Sequence, residues 1–143
     1  MSSLHRFHPT LRISLLQGQG EITLEEWEQA AREILAVPAG GIRRILSDRR
    51  HMGEAYPAWI EERAMRFIRE NAVALGDVQW AVVVEPESSA GKSVDTATQL
   101  NQGTRVRIRG FADVTAALRW LLGVYEEEDL VELVQWIEGT EVS

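Results

Sequence analysis

The chain contains no cysteine. Disulfides, thiolate nucleophiles and cysteine-rich zinc sites are excluded together, and the composition suits the cytoplasm. Histidine is scarce, with three in 143 residues. His5 and His8 are three apart, which on a strand sends them to opposite faces. His51 has no second histidine near it, so no metal site is expected. No apolar run approaches the ~18 residues that a membrane-spanning helix needs. Met1-Ser-Ser-Leu-His-Arg-Phe-His-Pro9 has no apolar signal region behind it, so secretion is not expected. There is no Gly-x-Ser-x-Gly elbow for a serine nucleophile. No cofactor is implied.

What is present is an uneven charge. The net charge is −7. From Val124 onward there are seven acids (Glu126, Glu127, Glu128, Asp129, Glu132, Glu138, Glu141) and no base. The rest carries fifteen acids against fifteen bases and is neutral. A neutral body with an acidic tail disfavours nucleic acid as a partner, because phosphate binding needs a basic surface.

The hydrophobic pattern alternates between short apolar runs and amphipathic helices. Leu4–His8 and Leu11–Gly18 read as two strands joined at Pro9-Thr10, followed by a Gly18-Gln-Gly20 turn. Thr23-Leu-Glu-Glu26 is a capping box opening a helix that runs to Ala36. Pro38-Ala-Gly-Gly41 stops it. Arg43–Asp48 is a short strand, and Tyr56–Leu75 has helical periodicity. Val78–Glu85 is nearly unbroken apolar sequence, the pattern of a central strand buried on both faces. Lys92–Asn101 reads as a short helix and Arg105–Gly110 as a strand. Asp113 caps a helix over Val114–Leu122, which stops at Gly123. Glu126–Glu138 is a last amphipathic helix. Strands separated by helices predict parallel pairing through right-handed crossovers, and so an α/β fold.

The hairpin, the Thr23-Leu-Glu-Glu-Trp27 helix start, the strand ending Ile45-Leu-Ser-Asp-Arg-Arg50 and the closing Phe111-Ala-Asp-Val-Thr-Ala-Ala-Leu-Arg-Trp-Leu121 carry a resemblance. Over Leu4 to Gly123 the chain resembles the SpoIIAA-like superfamily, which holds the STAS domains and their CRAL-TRIO-like relatives, above all its small bacterial members. The resemblance implies a right-handed β-α superhelix with a mixed sheet of four to five strands. It also implies non-enzymatic work, either regulatory protein contacts or the holding of a small ligand. Residues 1–123 would form that domain, with 124–143 an acidic helix packed on it or on a partner subunit. In anti-sigma-factor antagonists of this kind a serine following an aspartate is phosphorylated. Here Ser47 precedes Asp48 inside a strand, so that switch is not carried over.

Three places could hold chemistry. Gly91, Lys92 and Ser93 sit between a strand and a helix, where exposed N–H groups would hold an anion. A full phosphate loop needs a glycine where Pro86 stands, so nucleotide hydrolysis is not expected. Asp48, Arg49, Arg50, His51 and Glu54 cluster beyond the carboxyl end of a strand, where open α/β sheets bind ligands. The plainer reading of that cluster is a set of ion pairs and helix caps. Leu130, Leu133, Val134, Trp136 and Ile137 form an apolar stripe on the tail helix, an interaction surface for the chain's own body or for a second subunit. Arg105, Arg107 and Arg109 alternate along one strand face. These arginines, with Arg43 and Arg44, are the expected docking points for the tail's acids. Trp27, Trp59, Trp80 and Trp120 fall at core positions.

The expected function is a regulatory protein–protein interaction module, not an enzyme, whose partner is another protein or a second copy in a homodimer. The alternative is a carrier of a small apolar or anionic ligand. A carrier is expected to show a closed apolar cavity. An interaction module is expected to show a solid core and an apolar surface patch. An enzyme is expected to bring Asp48 and His51 together in a cleft.

Overall fold

The computed structural model describes residues 4–18, 22–38, 40–51, 59–84 and 105–139. Five strands, β1 (His5–His8), β2 (Ile13–Gln17), β3 (Arg43–Asp48), β4 (Val78–Val83) and β5 (Val106–Phe111), form one mixed sheet in the order β1-β2-β3-β4-β5. β1 is antiparallel to β2, with His5 opposite Leu16 and His8 opposite Ile13. All later pairings are parallel. The β1–β2 connection closes with Arg12 N–H donating to the His8 carbonyl at 2.7 Å. Arg12 takes a left-handed φ of +56°, and its guanidinium donates to the Pro38 carbonyl at 2.6 Å.

The described helices are α1 (Leu24–Ala36), α2 (Trp59–Glu70), α3 (Ala72–Leu75), α4 (Val114–Leu122) and α5 (Glu127–Glu138). Strand periodicity sorts the core into two layers. On one face Ile45, Val78, Trp80, Val82 and Val106 pack with Ile34 of α1 and Phe67 and Ile68 of α2. On the other Ile13, Leu15, Leu46, Ala81 and Val83 pack with Leu118 and Leu121 of α4 and Leu133 and Ile137 of α5. β4 serves both layers, which is why its sequence is almost wholly apolar.

The caps follow the sequence. Thr23 and Glu26 form the reciprocal capping box, at 3.1 and 3.0 Å. The Asp113 carboxylate accepts from Ala116 N–H at 2.8 Å. The long helix expected over 56–75 begins, within the described residues, at Trp59 and breaks at Asn71. The Asn71 amide donates to the Phe67 carbonyl at 2.9 Å, a local bond that competes with helix continuation. The helix expected at Lys92–Asn101 lies outside the described residues.

Arg43 explains why the break is tolerated. Its guanidinium is buried and donates to the carbonyls of Ile34 and Val37 at 2.7 and 2.8 Å. It also reaches Leu75 and Ala74 at 3.3 and 3.4 Å. One cation thus bonds carbonyls at the ends of α1 and α3, where the helix dipoles are negative, adding a second donor to Ile34, which Val37 N–H also reaches at 3.2 Å. Burial pulls its pKa below the ordinary arginine value. Arg43 is therefore a double helix cap and is not a docking point for the acidic tail.

Candidate functional site

β3 ends at Asp48, whose side chain is fully buried. It points to the α4–α5 face, because its strand neighbour Ser47 points the other way to accept from Trp80 Nε1 at 2.8 Å. Arg50 grips the carboxylate with Nε on Oδ1 and Nη2 on Oδ2, both at 2.8 Å. Arg50 backbone N–H adds a bond at 3.2 Å, and Gln17 Nε2 donates to Oδ2 at 3.0 Å. Burial alone would raise this carboxyl's pKa. The bonds from Arg50 and Gln17 outweigh it and hold the group below the ordinary carboxylate range. The same pairing raises Arg50.

The cluster's main work is to fasten α5. Arg50 Nη2 also reaches Glu138 at 3.1 Å. Gln17 Nε2 donates a second bond to the Ile137 carbonyl at 2.9 Å, while its Oε1 accepts from Arg6 at 3.0 Å. Arg6 donates onward to the Trp136 carbonyl at 3.1 Å and lies 4.8 Å over the Trp136 ring. His8 meets the Trp136 ring edge-on at 5.1 Å and pairs with Glu132 at 3.1 Å. His8 Nδ1 accepts from Leu11 N–H, so Nε2 is the nitrogen facing Glu132. Arg6 and Arg50 thus gather at the carbonyl end of α5, where the dipole favours cations.

The described residues of the expected cluster do not converge. Asp48 and Arg50 turn to α5. Arg49 turns to the opposite face and pairs with Glu61 of α2 at 2.8 Å. His51 is exposed and makes no bond to Asp48. Glu54 lies outside the described residues, as do Gly91, Lys92 and Ser93. Leu130, Leu133 and Ile137 are buried in the chain's own core, with Val134 and Trp136 packed beside them. They form the inner face of α5, not an open surface. The tail's described ion pairs run from Glu132 and Glu138 to His8 and Arg50. Arg105 pairs instead with Asp77 at 2.9 Å.

Arg6, His8 and Gln17 were not legible as a fastening. The signal for Gln17 is faint, a polar residue ending the apolar run of β2. Its partners are 31 and 120 residues away. Among the described residues no three side chains able to ligate a metal gather together, and no helix is long and apolar enough to cross a membrane.

A cleft opens on the α1–α2 side beside the carboxyl ends of β2 and β3. Leu4, Leu16, Ile22, Trp27, Ser47 and Trp80 are among its lining residues, and it is shallow, with a cavity volume of about 30 Å³. No protein-family model matches this chain, and neither a curated protein nor a solved structure matches it.

Proposed function

We propose that this chain is a non-enzymatic protein–protein interaction module of the STAS/SpoIIAA-like type, working in the cytoplasm. The observation that carries the reading is the commitment of Asp48. Among the described residues, the one buried carboxylate at the carboxyl end of the sheet is saturated by Arg50 and Gln17 in holding α5. A general acid or base needs a reachable proton and a partner, and here the imidazole of His51 lies apart in solvent. The consecutive strand order also supports the superhelix that the resemblance implies, since each connection steps to the next neighbour. Both layers are filled by side chains, such as Ile34 and Ile45 on one face and Leu46 and Leu118 on the other, all fully buried.

A second reading, small-ligand binding, has the shallow, open cleft beside Trp27, Ser47 and Trp80 as its starting point, in place of the closed cavity expected of a carrier. Its walls are mainly apolar, and the Ser47 hydroxyl offers a polar anchor.

Native mass spectrometry of the freshly purified chain separates the two. The interaction module is expected to appear as bare polypeptide, at one or two chain masses. An adduct of small-molecule mass that is lost on denaturation overturns it in favour of the carrier.

A further inference from the structure

Two oppositely charged strips flank the α4–α5 face, and α4 separates them. One is the outer surface of α5, where Glu127, Glu128, Val131 and Gln135 are exposed, Val131 by 48%. Glu126 is exposed just before it. The other lies on β5, where Arg107 and Arg109 are exposed on the same face as Phe111. The Phe111 ring packs against Trp120 of α4 at 5.7 Å, and Arg109 lies 5.3 Å over it.

Arg107 attracts Asp77 without an ion pair, Arg105 holding that carboxylate. Among the described residues, Glu126, Glu127 and Glu128 form no ion pair, and neither do Arg107 and Arg109. Neighbouring charges are already committed, Arg105 to Asp77 and Glu132 and Glu138 to His8 and Arg50. Within one molecule α4 stands between the complementary strips, and among the described residues no ion pair joins them.

We infer that the partner is a second copy of this chain, with the acidic outer face of α5 on one copy docked against the Arg107–Arg109 strip of the other. This deepens the interaction-module reading and rests on it. Val131 would sit against the Phe111–Trp120 pair and supply apolar contact between the charges. A two-fold arrangement lets each copy give one helix and receive one, which closes the assembly. The net charge of −7 opposes approach only at long range. At ~0.15 M ionic strength the Debye length is about 8 Å, so that repulsion is largely screened while contact pairs survive.

Sedimentation of the full chain tests this. The wild type is expected to form dimers at ~0.15 M salt and to weaken by about tenfold or more near 1 M, where screening reaches the contact pairs. The double variants Arg107→Glu/Arg109→Glu and Glu127→Arg/Glu128→Arg are each expected to be monomeric. Mixed in equal amounts they are expected to form a dimer with one chain of each, because both contacts regain opposite charge. These substitutions lie on exposed positions, and the restored mixture shows that both variants fold. A wild type that stays monomeric, variants that associate like the wild type, or a mixture that stays monomeric overturns the inference. So does a monomeric wild type whose arginine strip binds an acidic peptide or an oligonucleotide. Failure here with a bare chain in native mass spectrometry removes only the self-docking. A retained ligand removes the interaction-module reading itself.

Discussion

Arg50 holds both oxygens of Asp48 at 2.8 Å and with the same guanidinium reaches Glu138, so a strand end and a helix end share one cation. Asp48 is fully buried and Arg50 only partly so, which places the cost of losing the pair on the carboxylate.

Replacing Arg50 by Met is therefore expected to destabilise the chain by about 3 kcal/mol, because it leaves a buried charge without its partner. Asp48→Asn is expected to cost less, since it removes the charge together with the pair. Urea denaturation at neutral pH ranks the two, and equal costs would show that Gln17 alone satisfies the carboxylate.

Stability should also fall in acid. The folded Asp48 carboxyl titrates below its unfolded value, about 3.9, so its contribution is complete above that value. It is lost as the pH drops through the lower, folded value. Thermal melts between pH 5 and the acid limit should show a smaller fall for Asp48→Asn than for the wild type.

Arg43→Met is expected to leave the carbonyls of Val37, Ala74 and Leu75 without the guanidinium, while Ile34 keeps its bond from Val37 N–H. A cost of about 3 kcal/mol corresponds to a Tm lower by roughly 6–12 °C in a chain of this size. Arg43→Lys is expected to fall between, since an ammonium cannot span the same acceptors. A lysine variant that melts with the wild type would show that charge at the helix ends suffices.

The Trp80–Ser47 bond gives a test of the core. Ser47→Ala leaves the buried indole N–H unpaired, at about 1–3 kcal/mol. Trp80→Phe removes the donor as well as part of the packing. The double variant is expected to cost less than the two single losses together. Strict additivity would mean that the bond carries no coupling.

Removing residues 124–143 is expected to uncover Ile13, Leu15 and Leu46, which α5 covers on its side of the sheet. The truncated chain should bind a hydrophobic dye and lose solubility. Leu133→Ala in the full chain is expected to cost about 2–5 kcal/mol. A truncated protein as stable and soluble as the whole one would make α5 an ornament.

The alternation of apolar strands and amphipathic helices, the capping box at Thr23, the cap at Asp113 and the two-sided burial of Val78–Val83 were legible in sequence. Each is a local signal, set by side-chain periodicity or by hydroxyl and carboxylate groups within a few residues of the N–H groups they satisfy. Asn71 was harder to read, because a single amide bonding back to Phe67 ends a helix whose apolar spacing continues. The site was read only in part. The Asp48-Arg49-Arg50 run was visible as a charged cluster, but adjacent strand residues face opposite ways. Asp48 therefore turned to α5 while Arg49 went to Glu61, where no local signal could send it.

The sequence by itself determined the elements and the location of the acidic charge, because both are properties of neighbouring residues. Only the tertiary structure decided what that charge does. Strand register brings Gln17 and Asp48 side by side, and the return of α5 along the sheet carries Glu132 and Glu138 to His8 and Arg50. It leaves Glu127 and Glu128 facing outward, with Arg107 and Arg109 beyond α4. Which charges meet depends on distances set by packing, and no spacing along the chain encodes those.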